Sequence, residues 1–234
     1  MSRSSFVVTG GARGVGAAIV DLLRGEGHVV VVIDVIEGPG IVVGDAGDRS
    51  VAAQAARRAE EAAPLRGWVN NAAVFDDVLL HDDPRAALDI VTRNLAPAFV
   101  GTAVVVSHWL DQDRVGSIVN VSSHQGQRPV AGALPYATAK AAIEGLTRAT
   151  AVDYGRHGIR ANAVALGSIE TERMSDAVHA AAGEFHALGR FGVGSEVATT
   201  VAWLLSDASS FVTGATIPVD GGRGVFGRDP EERL

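Results

Sequence analysis

Cysteine is absent from the 234 residues. No disulfide framework, thiolate metal site or cysteine nucleophile is therefore possible, and the absence fits a reducing, cytoplasmic setting. A secretory leader is not expected either. The first residues, MSRSSFVVTG, hold an apolar stretch of only three residues before Thr9 and Gly10. The longest aliphatic run, Val29–Ile33, is far below the ~20 residues of a membrane span. Arginines are scattered, no basic stripe forms, and the formal charge is −7, which argues against nucleic acid as a partner. No internal repeat or low-complexity linker interrupts the chain. Only the end, RGVFGRDPEERL from Arg223 to Leu234, reads as a tail that is mobile or lies on a neighbouring subunit.

What is present is the material of one large α/β domain, expected to span 1–234. Hydrophobic residues make up 47% and charged residues 20%, enough for a full core. Short aliphatic runs begin at Phe6, Val29, Ile41, Trp68, Ser117, Ala161 and Thr216. They are continuous in polarity rather than alternating, as in a parallel sheet covered on both faces. Ala-rich helical stretches lie between them, at Val15–Arg24, Arg49–Ala62, Arg85–Trp109, Tyr136–Tyr154 and Glu196–Ser206. This alternation predicts βαβ units and a doubly wound, seven-stranded parallel sheet. One crossover is too short for a helix. Between Asp34 and Ile41 the chain reads DVIEGPGI, and Gly38-Pro39-Gly40 cannot build one. The second crossover is expected to be a bare loop beside a thinly covered sheet edge.

The first strand runs into TGGARGVG, Thr9 to Gly16. Gly10 permits a tight turn, Gly14 removes a side chain where a pyrophosphate would approach, and Gly16 lets the helix pack close to the sheet. The N–H groups opening that helix suit phosphate. Such a turn can also serve merely to link strand to helix. Asp34 ends the second strand, 18 residues past Gly16, where an acid accepts from the ribose hydroxyls of NAD and repels the 2′-phosphate of NADP. Arg13 pulls the other way, since a cation there suits that phosphate.

Further motifs follow in order: NNAA at 70–73, Asn94, NVSS at 120–123, YATAK at 136–140, LGSIET at 166–171 and IPVDGG at 217–222. Ser123 lies 13 residues before Tyr136. In order and spacing the set resembles the short-chain dehydrogenase/reductase family across residues 5–222. The resemblance implies a single-domain Rossmann fold and hydride exchange between a nicotinamide cofactor and an alcohol or carbonyl carbon. It assigns Tyr136 as general acid/base and Lys140 as the group that lowers the tyrosine pKa and holds the nicotinamide ribose. Ser123 matches the residue on the substrate oxygen, and Asn94 the one that holds a water in a proton relay. On the cofactor side it implies contacts at Gly10, Arg13, Gly14, Val15 and Gly16 along the turn, and at Asp34 near the ribose. Asp45 resembles the adenine contact. Asn71 and Ala72 lie beside the adenosine ribose, and Ile169 and Thr171 meet the carboxamide. A homotetramer built on the two long helices and the last strand also follows from the resemblance. Three features depart from the family pattern: Ala73 for a glycine, Leu166 for the proline before Gly167, and the missing second helix.

A free tyrosine, with a pKa of ~10, is a poor base near neutrality. Lowering it ~3 units takes about 4 kcal/mol, which an ammonium one helical turn away and a cationic nicotinamide can supply. A Tyr/Lys pair at this spacing is otherwise an ordinary surface contact. Residues 124–135 are expected to line the pocket, with His124 and Gln125 able to bond a polar substrate. A lid is expected over about 170–191, with Met174 and Phe185 among its apolar contacts. His179 and His186 read as surface histidines, because no third metal ligand is evident. The readings that compete are an NAD-dependent alcohol dehydrogenase or carbonyl reductase, a non-catalytic nucleotide-binding regulator, and a cofactor-free lyase. The intact Ser/Tyr/Lys/Asn set argues for the first.

Overall fold

A computed structural model describes residues 3–170 and 184–227. Seven strands form one sheet: β1 (Ser5–Thr9), β2 (Val29–Asp34), β3 (Ile41–Val43), β4 (Leu65–Asn70), β5 (Gly116–Ser123), β6 (Ile159–Leu166) and β7 (Thr216–Val219). Every pairing is parallel, in the order β3-β2-β1-β4-β5-β6-β7. The described helices are α1 (Gly14–Gly25), α2 (Arg49–Ala62), α3 (Pro84–Asp111), α4 (Leu134–Tyr154) and α5 (Gly194–Leu205). This is the Rossmann arrangement that the sequence pattern predicts.

The valine-rich strands are buried on both faces because each face carries its own core. Val7, Ile33, Trp68 and Ile118 point toward α2, α3 and α4, where Ala55, Ala59, Val105 and Trp109 meet them. Val8, Val32, Val69 and Val119 point the other way, onto Ile19 and Leu23 of α1 and Val197, Val201 and Leu204 of α5. Local chemistry sets the helix starts. Asp48 accepts from Ser50 N to cap α2, and Asp83 accepts from Arg85 N and Ala86 N before Pro84, which fits the first turn. The stretch from Asp34 to Ile41 forms no helix, and Val35, Ile36 and Val43 are exposed there. By length and composition α3 is long and apolar enough to cross a membrane, with a mean hydropathy of 1.4 over its most apolar window, but half of that window is buried in the fold.

Strand order reverses between β1 and β4, so their C-terminal ends open a crevice at the switch point, where such sheets bind ligands. Thr9, Asp34, Asn70, Ser123 and Leu166 all lie on that edge. Leu166 replaces a proline without loss of order. It pairs with Ser123 on one side and Val219 on the other, and Gly167 N donates to Val219 O at 3.1 Å.

Candidate active site

The Gly-rich turn is held by groups that the sequence alone does not connect. Thr9 Oγ1 accepts from Asn71 N and Ala72 N, while Asn71 Nδ2 donates to Thr9 O and Gly10 O, each at 3.0 Å. Asn71 thus clamps the turn, a job additional to the ribose contact expected for it. Gly10 stands at φ +64°, and a Cβ on Gly16 would lie 2.1 Å from Gly10 O. Gly14, at φ +57°, faces open space. The resulting cradle, closed on the sheet side and open above α1, fits a dinucleotide pyrophosphate. Arg13, at the N-cap of α1, is exposed.

Asp34 does more than end β2. Its Oδ2 accepts from Ala12 N at 3.0 Å and its Oδ1 from Ile36 N at 3.1 Å. Both oxygens keep lone pairs for ribose hydroxyls. Asp45 is exposed and closes its own turn by accepting from Gly47 N. Ile169 is buried and bridges to Gly192. Thr171, Met174 and His179 lie outside the described residues.

Ser123, Tyr136 and Lys140 come together where β5 ends and α4 begins. Ser123 and Tyr136 line the same cavity. Ser123 Oγ also accepts from Gln125 N at 3.2 Å, which fixes the turn leaving β5. Lys140 is the only lysine in the chain, a signal that the motif reading passed over. It is 2% exposed, donates to Val121 O at 2.8 Å, and lies 5.3 Å from the centre of the Tyr136 ring. Behind it Glu144, also buried, accepts from Ser122 Oγ at 3.1 Å and from Gln127 Nε2 at 3.0 Å. Asn94 is buried on α3. Its Nδ2 donates to Ile90 O and its Oδ1 accepts from Val74 N, tying the segment after β4 to the helix.

Burial opposes the lowering of the phenol expected from the lysine. Burial pushes Tyr136 up to about 12, the neighbouring Ser123 pulls it down, and the Asp77 carboxylate adds to the rise. Burial also draws Lys140 down to about 8. A unit charge 5.3 Å from the ring is worth about 3 kcal/mol at an effective dielectric constant near 20. That is about two pKa units, comparable with the rise that burial causes. Protein groups alone therefore leave Tyr136 a proton donor. Proton removal by its phenolate requires a further positive charge beside it.

Ser123 and Tyr136 line a cavity of about 220 Å³ together with Phe75, Asp77, His124, Gln125, Ser168 and Arg223. A larger cavity of about 410 Å³ adjoins it at Ser168, lined by Ile169, Glu196 and Gly222 among others, and none of Ser123, Tyr136 and Lys140 reaches it. His124 is buried, with its pKa drawn down to about 4 first by that burial and then by Arg223. Its Nδ1 and Gln125 Oε1 are buried with no hydrogen-bond partner among the described residues. His186 corrects the surface reading. It is 2% exposed, accepts from Ser168 N at 3.2 Å and meets Phe191 edge-on. The sequence reading missed wall residues: Phe75, whose ring lies 5.6 Å from that of Tyr136, Asp77 and Arg223. The start of the expected tail instead folds back, with Phe226 N donating to Gly222 O and Arg128 holding Phe226 O.

A dinucleotide cradle, a buried lysine and a serine and tyrosine sharing one cavity at one sheet edge define a class, the oxidoreductases that work with a nicotinamide cofactor. Comparison with known proteins agrees. Residues 10–223 match the family described as Enoyl-(Acyl carrier protein) reductase. The 2,5-dichloro-2,5-cyclohexadiene-1,4-diol dehydrogenase of Sphingobium indicum is 34% identical, over 95% of this chain and 97% of its own. The cis-4-hydroxycyclohexanecarboxylate dehydrogenase of Sinomonas cyclohexanicum is 38% identical, over 92% and 94%. The solved aldohexose dehydrogenase of Thermoplasma acidophilum superposes with a TM-score of 0.88 at 27% identity, covering 99% of this chain and 97% of that one. The chain belongs to the short-chain dehydrogenase/reductase family and is an oxidoreductase.

Proposed function

We propose that the protein is an NAD-linked dehydrogenase of a small cyclic secondary alcohol, with Tyr136 as its general acid/base. The observation that carries this reading is that Ser123 and Tyr136 line one cavity while buried Lys140 lies 5.3 Å from the centre of the Tyr136 ring. A bound nicotinamide supplies the hydride acceptor or donor and, when oxidised, a positive charge. The chain's own residues do the rest. Ser123 holds the carbinol oxygen and Tyr136 takes its proton, or returns it to a carbonyl in the reverse direction. Lys140 holds the ribose and favours the phenolate. Asn94 keeps one amide hydrogen beyond its bond to Ile90 O and holds the relay water with it.

The turn Gly10–Gly16, with Arg13 and Val15 at its rim, would cradle the pyrophosphate. Asp34 would take the ribose hydroxyls, and Asp45 and Ala72 would flank the adenosine. On the nicotinamide side the contacts would be Ile169 and Thr171. The small cavity supports a small substrate, because drug-sized ligands fill ~300–1,000 Å³. The two curated relatives support a ring alcohol, since each name describes oxidation of a six-membered ring. The reading includes one domain over 1–234, a cytoplasmic setting and a homotetramer. Apolar side chains exposed on α3 and α4, such as Leu88, Phe99 and Val152, support the assembly. A turnover screen of cyclic secondary alcohols with NAD and with NADP tests the reading. It expects reduced nicotinamide to form, faster with NAD. No turnover of any ring alcohol, or a preference for NADP, would overturn it.

A further inference from the structure

One charged side chain in the pocket has no part in the proton chemistry. Arg223 follows β7 through the turn at Gly221-Gly222 and re-enters the cavity that holds Ser123 and Tyr136. Its Nη1 donates to Ser168 Oγ at 2.7 Å, and its guanidinium lies 5.4 Å over the Phe185 ring. An arginine has five N–H donors, so most of the fork remains for a ligand.

Among the described residues, the charges around Arg223 do not neutralise it. No carboxylate forms an ion pair with it among the described residues. Asp220 is nearby, but its Oδ1 accepts from Gly222 N at 2.9 Å and its Oδ2 from Gly224 N at 2.7 Å, so the carboxylate is committed to the turn. Arg128 adds a second positive charge on the same side, repelling Arg223, while Asp220 attracts it. Asp77 acts on Tyr136 at the catalytic end. The pocket is thus polarised, with the phenol and an acid at one end and a half-buried guanidinium at the other. A half-buried cation is costly unless paired. Buried beside it, His124 Nδ1 and Gln125 Oε1 also lack hydrogen-bond partners among the described residues.

We propose that Arg223 is a specificity-determining residue and that the substrate alcohol carries a carboxylate, which the Arg223 fork binds while the carbinol oxygen lies on Ser123 and Tyr136. Planar guanidinium and carboxylate match bidentately. This deepens the proposed dehydrogenase reading and rests on it for the reaction, but the anion site has its own readout.

Two titrations of the NADH-saturated protein test it by calorimetry, with cyclohexanecarboxylate and with the neutral cyclohexanecarboxamide. The carboxylate is expected to bind about 10–100-fold tighter, the ratio that a charge-assisted bond provides. Arg223→Gln should abolish that ratio, and Arg223→Lys should keep part of it. Equal binding, binding of neither, or a carboxylate preference that survives Arg223→Gln would overturn the proposal. Turnover of 4-hydroxycyclohexanecarboxylate and its carboxamide separates the two readings. Equal kcat/KM on both keeps the dehydrogenase and removes the anion site. A carboxylate-selective protein that oxidises neither keeps the anion site and removes the dehydrogenase.

Discussion

Lys140 shows how much one side chain is asked to do. It is the chain's one lysine, and burial holds its pKa at about 8 against an ordinary 10.5. Because the protein has no other lysine side chain, one ¹³C-lysine resonance reports it directly. The NMR titration midpoint is expected near 8, and a midpoint near 10.5 would show that burial does not shift it. Asp34 is the second residue with two tasks. In the proposed reading its carboxylate would favour NAD by accepting from the ribose, a preference expected to be at least ~10-fold in kcat/KM, or 1.4 kcal/mol. It also holds Ala12 N and Ile36 N. Asp34→Ser should therefore erode the preference and raise KM for both cofactors. An unchanged NAD:NADP ratio in steady-state kinetics would refute the assignment.

Elements place these residues, and the turn between β1 and α1 is the most exacting. Gly16→Ala puts a methyl 2.1 Å from Gly10 O and 2.6 Å from Asn71 Nδ2. The turn and its clamp must both move, at a cost of about 1–3 kcal/mol, and NADH affinity should fall at least ~10-fold. Gly14→Ala meets no neighbour and carries only the strain of φ +57°, about 1–2 kcal/mol. Melting temperature and NADH fluorescence titration would rank the two variants. Equal cofactor affinity in Gly16→Ala and the unmodified protein would contradict the cradle. Such elements were legible in advance where local chemistry decides them. The valine runs gave the strands, Gly38-Pro39-Gly40 forbade the second crossover helix, and the motif spacing brought Ser123 and Tyr136 together. Contacts between distant segments were not legible. No local pattern says that Asn71 clamps Gly10, that Asp34 holds Ala12, or that Arg223 folds back onto the pocket, because only the closed sheet creates those neighbours.

At the scale of the whole molecule, stability should depend on pH through His124. Burial, then Arg223 and His186, hold its folded pKa at about 4, with Asp220 opposing, against an ordinary 6.5. Between those values the unfolded chain binds the extra proton, so stability is full above about pH 6.5 and falls as pH drops toward 4. His124→Gln should lose less stability than the unmodified protein between pH 7 and pH 5 in urea unfolding. Parallel losses would show that His124 is not the sensor. The same pocket carries the account's central claim, that Tyr136 moves the proton. The most direct test is the rate of reduced-nicotinamide formation, unmodified against Tyr136→Phe, on any ring alcohol the protein oxidises. The account predicts intact NADH binding and a kcat lower by about 10²–10⁴-fold. Equal rates would contradict it.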